Sequence, residues 1–141
     1  MKQNDRYVCK ILTKPEDMVC IYNLALLLNP KMSSEDYVIT VTNACKAINY
    51  RQVTGFKNDK PAGFIAIHDS VLMSNAPMKS LNICNVATDP NERGPLTKLL
   101  FKVVEQIAID EGYGNIDIIR KAFFLIAIQK NLITRCSRKQ E

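Results

Sequence analysis

The stretch Asn82-Ile83-Cys84-Asn85-Val86-Ala87-Thr88-Asp89-Pro90-Asn91-Glu92-Arg93-Gly94-Pro95-Leu96-Thr97-Lys98-Leu99-Leu100 reads as a strand, a polar loop and the opening of a helix. Ser80 to Thr88 has the composition of a strand, and the cluster from Asp89 to Pro95 interrupts it. From about Leu96 to Glu111 the apolar residues Leu99, Leu100, Val103, Val104, Ile107 and Ala108 recur on one helical face, and Gly112 supplies the stop. The start of such a helix carries free backbone N–H groups and a partial positive charge, so it suits an anion such as a phosphate. Gly94 lets the backbone come close to a ligand there. A plain tight turn before a helix is the other reading of Gly94-Pro95.

Working outward, Tyr7 to Leu12 reads as a strand closed by Thr13-Lys14-Pro15. Glu16 and Asp17 open a helix whose apolar positions are Met18, Ile21, Tyr22, Ala25 and Leu28, and Asn29-Pro30 ends it. Ser33 or Ser34 caps a second helix running to about Ile48. Tyr50 to Lys57 and Pro61 to His68 form a hairpin about Asn58-Asp59-Lys60. Past the long helix come a short strand from Ile116 to Ile119, a helix from Lys121 to Lys130 and a last strand from Leu132 to Ser137. The expectation is a single α/β (α+β) domain over residues 1–141, in the order β-α-α-β-β-β-α-β-α-β.

With 47% hydrophobic and 23% charged residues, the 141-residue chain can bury one core. No apolar run approaches the ~20 residues of a membrane span, and Met1 to Asp5 lacks the apolar core of a signal peptide. These features lead us to expect a cytoplasmic protein. The five cysteines are too widely spaced for a zinc or redox motif and read as free thiols, and no metal-ligand cluster is expected. The net charge of +5 comes from the end of the chain, where Arg120, Lys121, Lys130, Arg135, Arg138 and Lys139 face only Glu141. That basic end can attract phosphates or an acidic partner, or serve as a solvated tail. Its few aromatics argue against nucleic-acid binding.

The strand–loop–helix segment resembles the GNAT superfamily of acyl-CoA-dependent N-acyltransferases, as a divergent member. Val86 to Pro90 is similar to the family's strand end. Asn91-Glu92-Arg93-Gly94-Pro95-Leu96 falls on its pyrophosphate loop of the form Gln/Arg-x-x-Gly-x-Gly/Ala. Leu99-Leu100, the exit Glu111-Gly112-Tyr113, Asp17 and Gly63 also resemble the family. The departures are Asn91 for Gln or Arg, a proline at 95 that has no N–H, and Leu96 with bulk where the pyrophosphate should lie. No tyrosine stands in Ala127 to Leu132, where the family often keeps one to protonate the leaving thiolate.

The resemblance implies a mixed, mostly antiparallel central sheet flanked by helices. It also implies acetyl transfer from acetyl-CoA to a primary amine by direct attack, with strand-four N–H groups steadying the oxyanion. The cofactor residues would be Val86, Thr88, Asn91, Arg93, Gly94, Leu96 and Thr97. Each has a plainer reading where its position allows: Val86 and Thr88 as alternating strand residues, Asn91 in an Asx turn, Thr97 as a helix N-cap. Asp17 can equally be a first-turn acid, and Gly63 a bulge or a close backbone approach.

The family's proton acceptor is often an acid near the central strands, and His68, Asp69, Asn82, Glu105 and Asp117 are the residues to weigh. His68, the only histidine, can act as a base at neutral pH, and Asp117 is an acid inside a short strand, so these two are the catalytic candidates. As plainer readings, His68 is a strand-end residue, Asp117 faces solvent, Asp69 is a loop acid, Glu105 lies on a helix surface, and Asn82 positions water at most. The alternative function is a catalytically inactive GNAT-like protein that binds a protein partner. The short last hairpin is also compatible with strand exchange in a homodimer. The acceptor amine is not legible.

Overall fold

A computed structural model of the chain describes residues 6–71 and 79–118. The loop expected around residues 74–77, Ile119, and the final helix and strand fall outside the described residues. The five strands are β1 (Val8–Leu12), β2 (Arg51–Lys57), β3 (Lys60–Val71), β4 (Lys79–Thr88) and β5 (Asn115–Ile118), side by side in chain order. β1 to β4 pair antiparallel, whereas β4 and β5 run parallel. A parallel pair needs a crossover. The helix α4 (Arg93–Asp110) provides it.

The β2–β3 hairpin turns on Asn58 and Asp59 at φ 52° and 64°, with Lys57 opposite Lys60. Two left-handed residues make the turn type that matches strand twist, and Asn and Asp tolerate that conformation best after glycine. β3 runs to Val71, past the expected end at His68, because His68, Asp69 and Ser70 continue to pair with Asn82, Leu81 and Ser80.

Period-two alternation gives the sheet two apolar faces. Val53, Ile65, Ile67, Leu81 and Ile83 pack against Leu96, Leu100, Val104 and Ile107 of α4. Phe64, Ala66 and Ala87 on the other face pack against Met18, Ile21, Tyr37 and Val41.

The expected first helix is broken into α1 (Pro15–Met18), a 3₁₀ turn (Val19–Ile21) and α2 (Tyr22–Ala25). Met18, Ile21 and Leu24 are all buried, and their spacing of three fits the three-residue 3₁₀ repeat better than the α repeat. The helix α3 (Ser34–Ile48) is capped by Ser33, whose hydroxyl accepts from the Asp36 N–H at 3.0 Å. It stops at Asn49, φ 53°.

α4 starts three residues earlier than the expected Leu96, since glycine and proline are tolerated in a first turn that has no acceptors to lose. It ends as expected at Gly112, φ 73°. There Tyr113 N–H reaches Ala108 O (3.0 Å) and Gly112 N–H reaches Ile109 O (3.3 Å), a Schellman motif.

Candidate functional site

The loop from Thr88 to α4 is set by three local devices. Asp89 Oδ1 accepts the Asn91 N–H at 2.9 Å, so the Asx turn belongs to Asp89 and Asn91 is its exposed donor. The Glu92 N–H bonds Asp89 O at 2.8 Å. The Leu96 side chain is fully buried and lies over Gly55 and Gly63. Its bulk therefore goes into the core between α4 and the sheet, not into the space in front of the loop, which corrects that expectation. Of the readings open for Gly63, the structure shows a close approach. A Cβ there would stand 3.0 Å from Leu96 and 3.1 Å from Thr88.

Thr97 lies inside the helix, so it is not the N-cap. Its buried hydroxyl is 3.0 Å from that of Thr88, also buried. Val86 is buried in the α4 core. α4 has no side-chain cap. In its first turn Pro95 has no N–H and that of Leu96 goes to Glu92 O at 3.2 Å. The donors that the helix end presents are thus the N–H groups of Arg93 and Gly94. Gly94 is exposed, with nothing among the described residues within 4 Å of where a Cβ would stand.

Beneath the loop, Glu92 ties three elements together. Tyr7 Oη and Arg6 Nη2 donate to its Oε1 at 2.6 and 2.7 Å, and Lys57 Nζ donates to Oε2 at 2.9 Å. The Tyr7 and Lys57 hydrogen bonds, with the nearby Lys57 and Arg6 charges, outweigh desolvation and hold the Glu92 carboxyl below its ordinary range. Burial, then the Glu92 hydrogen bond and charge, push Tyr7 up to about 12.

At the middle of the sheet β4 carries one extra residue. Ala66 pairs with Asn85 and Ile67 with Ile83, leaving Cys84 as the bulge. The bulge turns Cys84 and Asn85 toward the α2–α3 side, where Cys84 packs with the second core and Asn85 lines a cavity. Burial raises the Cys84 thiol to about 11, so it is not a nucleophile at neutral pH. β5 pairs with β4 only from Ser80 to Ile83. From Cys84 to Thr88 that edge of β4 has no described strand beside it.

The pairing brings together residues that are far apart in sequence. His68 stands opposite Asn82, and Asn82 beside Asp117, so the three form one row across β3, β4 and β5. Directly paired residues share a sheet face. All three are partly exposed. His68 Nδ1 lies 3.0 Å from the Asp69 carbonyl, which can only accept, so Nδ1 is the donor there. Asp117 Oδ1 accepts from Asn115 Nδ2 at 3.1 Å, and Asn115 Oδ1 in turn accepts from Ser80 Oγ.

Two of the other acids fall elsewhere. Asp69 is a strand residue, not a loop acid, and points to the α4 side, where it accepts from Tyr113 Oη and from Asn49 Nδ2 (3.3 Å). Burial raises its pKa, but the Tyr113 and Asn49 hydrogen bonds with Lys79 and Arg51 outweigh it, for a net lowering. Glu105 lines a separate cleft on the α4 side with Ile109, Tyr113 and Ile116. Asp17 is exposed in the first turn of α1. Among the described residues no group of three His, Cys, Asp or Glu side chains could hold a metal ion, and no helix is long and apolar enough to cross a membrane.

Sequence reasoning missed Glu92, although it sits inside the quoted loop. Its partners Tyr7 and Lys57 are 85 and 35 residues away, and no local spacing reports that. It also missed the cavity of about 150 Å³ between α2, α3 and the sheet, whose wall combines Leu28, Met32, Tyr37, Tyr50, Phe64 and Asn85.

No protein-family model and no curated protein sequence matches the chain. Solved structures do match its fold. An aminoglycoside N-acetyltransferase in complex with CoA superposes with TM-score 0.73 at 9% identity, over 96% of this chain and 90% of that one. A GCN5-related N-acetyltransferase from Ralstonia eutropha gives 0.66 at 13% identity, over 92% and 90%. A ribosomal-protein-alanine N-acetyltransferase from Brucella melitensis gives 0.67 at 13% identity, over 80% and 79%. These likenesses are of the fold, and with its five-stranded sheet, one parallel pair and a helix that opens at the end of β4 the chain has the GNAT fold.

Proposed function

We propose that the chain is an acyl-CoA-dependent N-acetyltransferase acting on a primary amine by direct attack. The observation that carries this is Gly94. It sits in a helix without a left-handed φ, and a Cβ there would meet none of the described residues, so neither backbone conformation nor packing among them requires glycine. Glycine is tolerated in a first turn but not required there, and its missing side chain would allow the close approach of a ligand. The edge of β4 from Cys84 to Thr88, with no described strand beside it, leads away from that point toward the bulge.

The residues present fit acetyl-CoA. Arg93 and Gly94 N–H groups would hold its pyrophosphate, with Asn91 and the Arg93 side chain flanking them at the loop. The β4 edge beside Val86 and Thr88 would take the pantetheine arm through backbone groups, their side chains being buried. When bound, acetyl-CoA supplies an activated acetyl thioester: the C–N bond forms as the C–S bond breaks, and CoA leaves as the thiolate.

The chain's own part is to position the amine and take its proton. His68 would take the proton through its imidazole, and Asp117 would supply a carboxyl group two strands away. Asn82, between them, is placed to orient a bridging water. Water would return a proton to the departing thiolate.

The test is turnover. Acetyl-CoA and a panel of primary amines are incubated with the protein, and acetylated product is read by mass spectrometry. Product that requires the protein supports the reading. Micromolar CoA binding without product from any amine would leave the alternative, a scaffold that binds a partner.

A further inference from the structure

The cavity between α2, α3 and the sheet has its floor at Phe64 of β3 and Asn85 of β4, beside the bulge. Its volume is about 150 Å³. An apolar cavity of about that size in another protein takes a benzene molecule. The surrounding side chains Leu28, Met32, Tyr37, Tyr50 and Phe64 offer hydrocarbon, aromatic rings and a thioether, and none of the described residues lining it carries a charge.

The Tyr37 hydroxyl is already spent. It donates to Met18 O at 2.7 Å and accepts from Gln52 Nε2 at 3.1 Å. Gln52 also donates to Tyr50 Oη at 3.1 Å. These bonds fix the two tyrosines and leave their rings to the cavity. The rim between α2 and α3 is held where Tyr22 Oη donates to Met32 O at 2.7 Å. Met32 itself is an adaptable side chain suited to a variable apolar guest.

The position of the cavity is as informative as its lining. Asn85 pairs with Ala66, and His68 lies two residues further along β3 on the same face. One same-face step in a strand is roughly 6.5 Å. A group seated against Asn85 thus lies one step from the His68–Asn82–Asp117 row, and one seated on Phe64 lies two.

We propose that this cavity holds the side group of the acceptor, and that the acceptor is a primary amine carrying one benzene-sized, uncharged group next to its reactive nitrogen. This rests on the transferase reading above and narrows it. The apolar group enters the cavity and the nitrogen stays outside, over the bulge and within reach of the row. A polycationic amine is disfavoured, because a second ammonium would lose its water with no carboxylate in the wall to replace it.

The experiment uses the whole chain with methyl-labelled methionines, the Met32 signal assigned through Met32→Leu. Benzylamine is titrated alone, then assayed with acetyl-CoA beside spermidine. The proposal expects a saturable shift of the Met32 methyl with benzylamine, and kcat/KM at least about tenfold higher for benzylamine than for spermidine. Thr40, exposed on α3, lines the cavity, and Thr40→Trp adds bulk to it. It should raise the benzylamine KM about tenfold while acetyl-CoA binding stays as in the parent.

A Met32 methyl that does not respond to benzylamine overturns the proposal, as does spermidine turned over as well as benzylamine. Benzylamine that binds at Met32 in a protein with no affinity for acetyl-CoA leaves the site standing and overturns the transferase reading instead.

Discussion

The Leu96 side chain occupies the space left by the missing side chain of Gly55: a Cβ on Gly55 would lie 2.5 Å from Leu96 Cδ1. Gly55 and Gly63 face each other across β2 and β3, so the first turn of α4 seats itself on two glycines at once. The helix end that presents Arg93 and Gly94 is positioned by that contact. Gly55→Ala should cost about 1–3 kcal/mol through overpacking, and Leu96→Ala about 2–5 kcal/mol through the cavity it leaves. Combined, the two should cost less than their sum, since the shorter side chain makes room for the methyl. Urea unfolding of the four proteins measures this, and strict additivity would show that the contact is not what fixes the helix.

Glu92 makes the loop sensitive to acid. Its folded-state pKa lies below the ordinary 4.5, chiefly through the Tyr7 and Lys57 hydrogen bonds, so its contribution to stability is present above pH 4.5. That contribution disappears as pH falls through the folded-state value. Asp69, also lowered, adds to the same acid limb. Glu92→Gln should lower stability near neutral pH and flatten the acid limb of a plot of unfolding midpoint against pH. An unchanged acid limb in the variant would remove Glu92 from the account.

The alkaline side has the opposite sign. Burial, foremost, raises Tyr7, Tyr37 and Tyr113 from 10.0 to about 12. Their contribution is complete below pH 10.0, the value in the unfolded chain, and is lost as pH rises toward about 12. Near-ultraviolet tyrosinate absorbance should therefore lag that of the urea-unfolded chain over this interval, and stability should fall within it. Coincident titration curves for folded and unfolded protein would contradict the burial of these hydroxyls.

Much of this fold was legible because local chemistry agreed with global packing. Ser33, Asn58-Asp59 and Gly112 each do what their residue types favour, and the two strand periods either side of them follow. Two features were not legible. The break in the first helix follows from three buried residues at a spacing of three, which an α-helical reading absorbs without protest. The Cys84 bulge has no composition of its own, since an extra residue in one strand shows only against its partner. The site divides the same way. The loop announces itself by Gly94-Pro95, whereas the row of His68, Asn82 and Asp117 exists only once three strands are in register.

That row gives a kinetic prediction. With an accepted amine, His68→Gln and Asp117→Asn should each lower kcat, the more important of the two by about 10²- to 10⁴-fold, and leave acetyl-CoA affinity unchanged. Asn82→Ala should have a smaller effect, as expected for a group that only orients water. If both variants keep the parent kcat and pH profile, the proton goes elsewhere.

The most direct measurement is calorimetric titration of acetyl-CoA and CoA into the protein and into Gly94→Glu. The substitution meets none of the described residues, and a carboxylate in the first turn of a helix favours folding, so the variant should melt no lower than the parent. The account predicts micromolar binding of both ligands to the parent and none to Gly94→Glu, because the new charge stands where the pyrophosphate would lie. A parent protein that binds neither ligand, or a variant that binds as well as the parent, would contradict it.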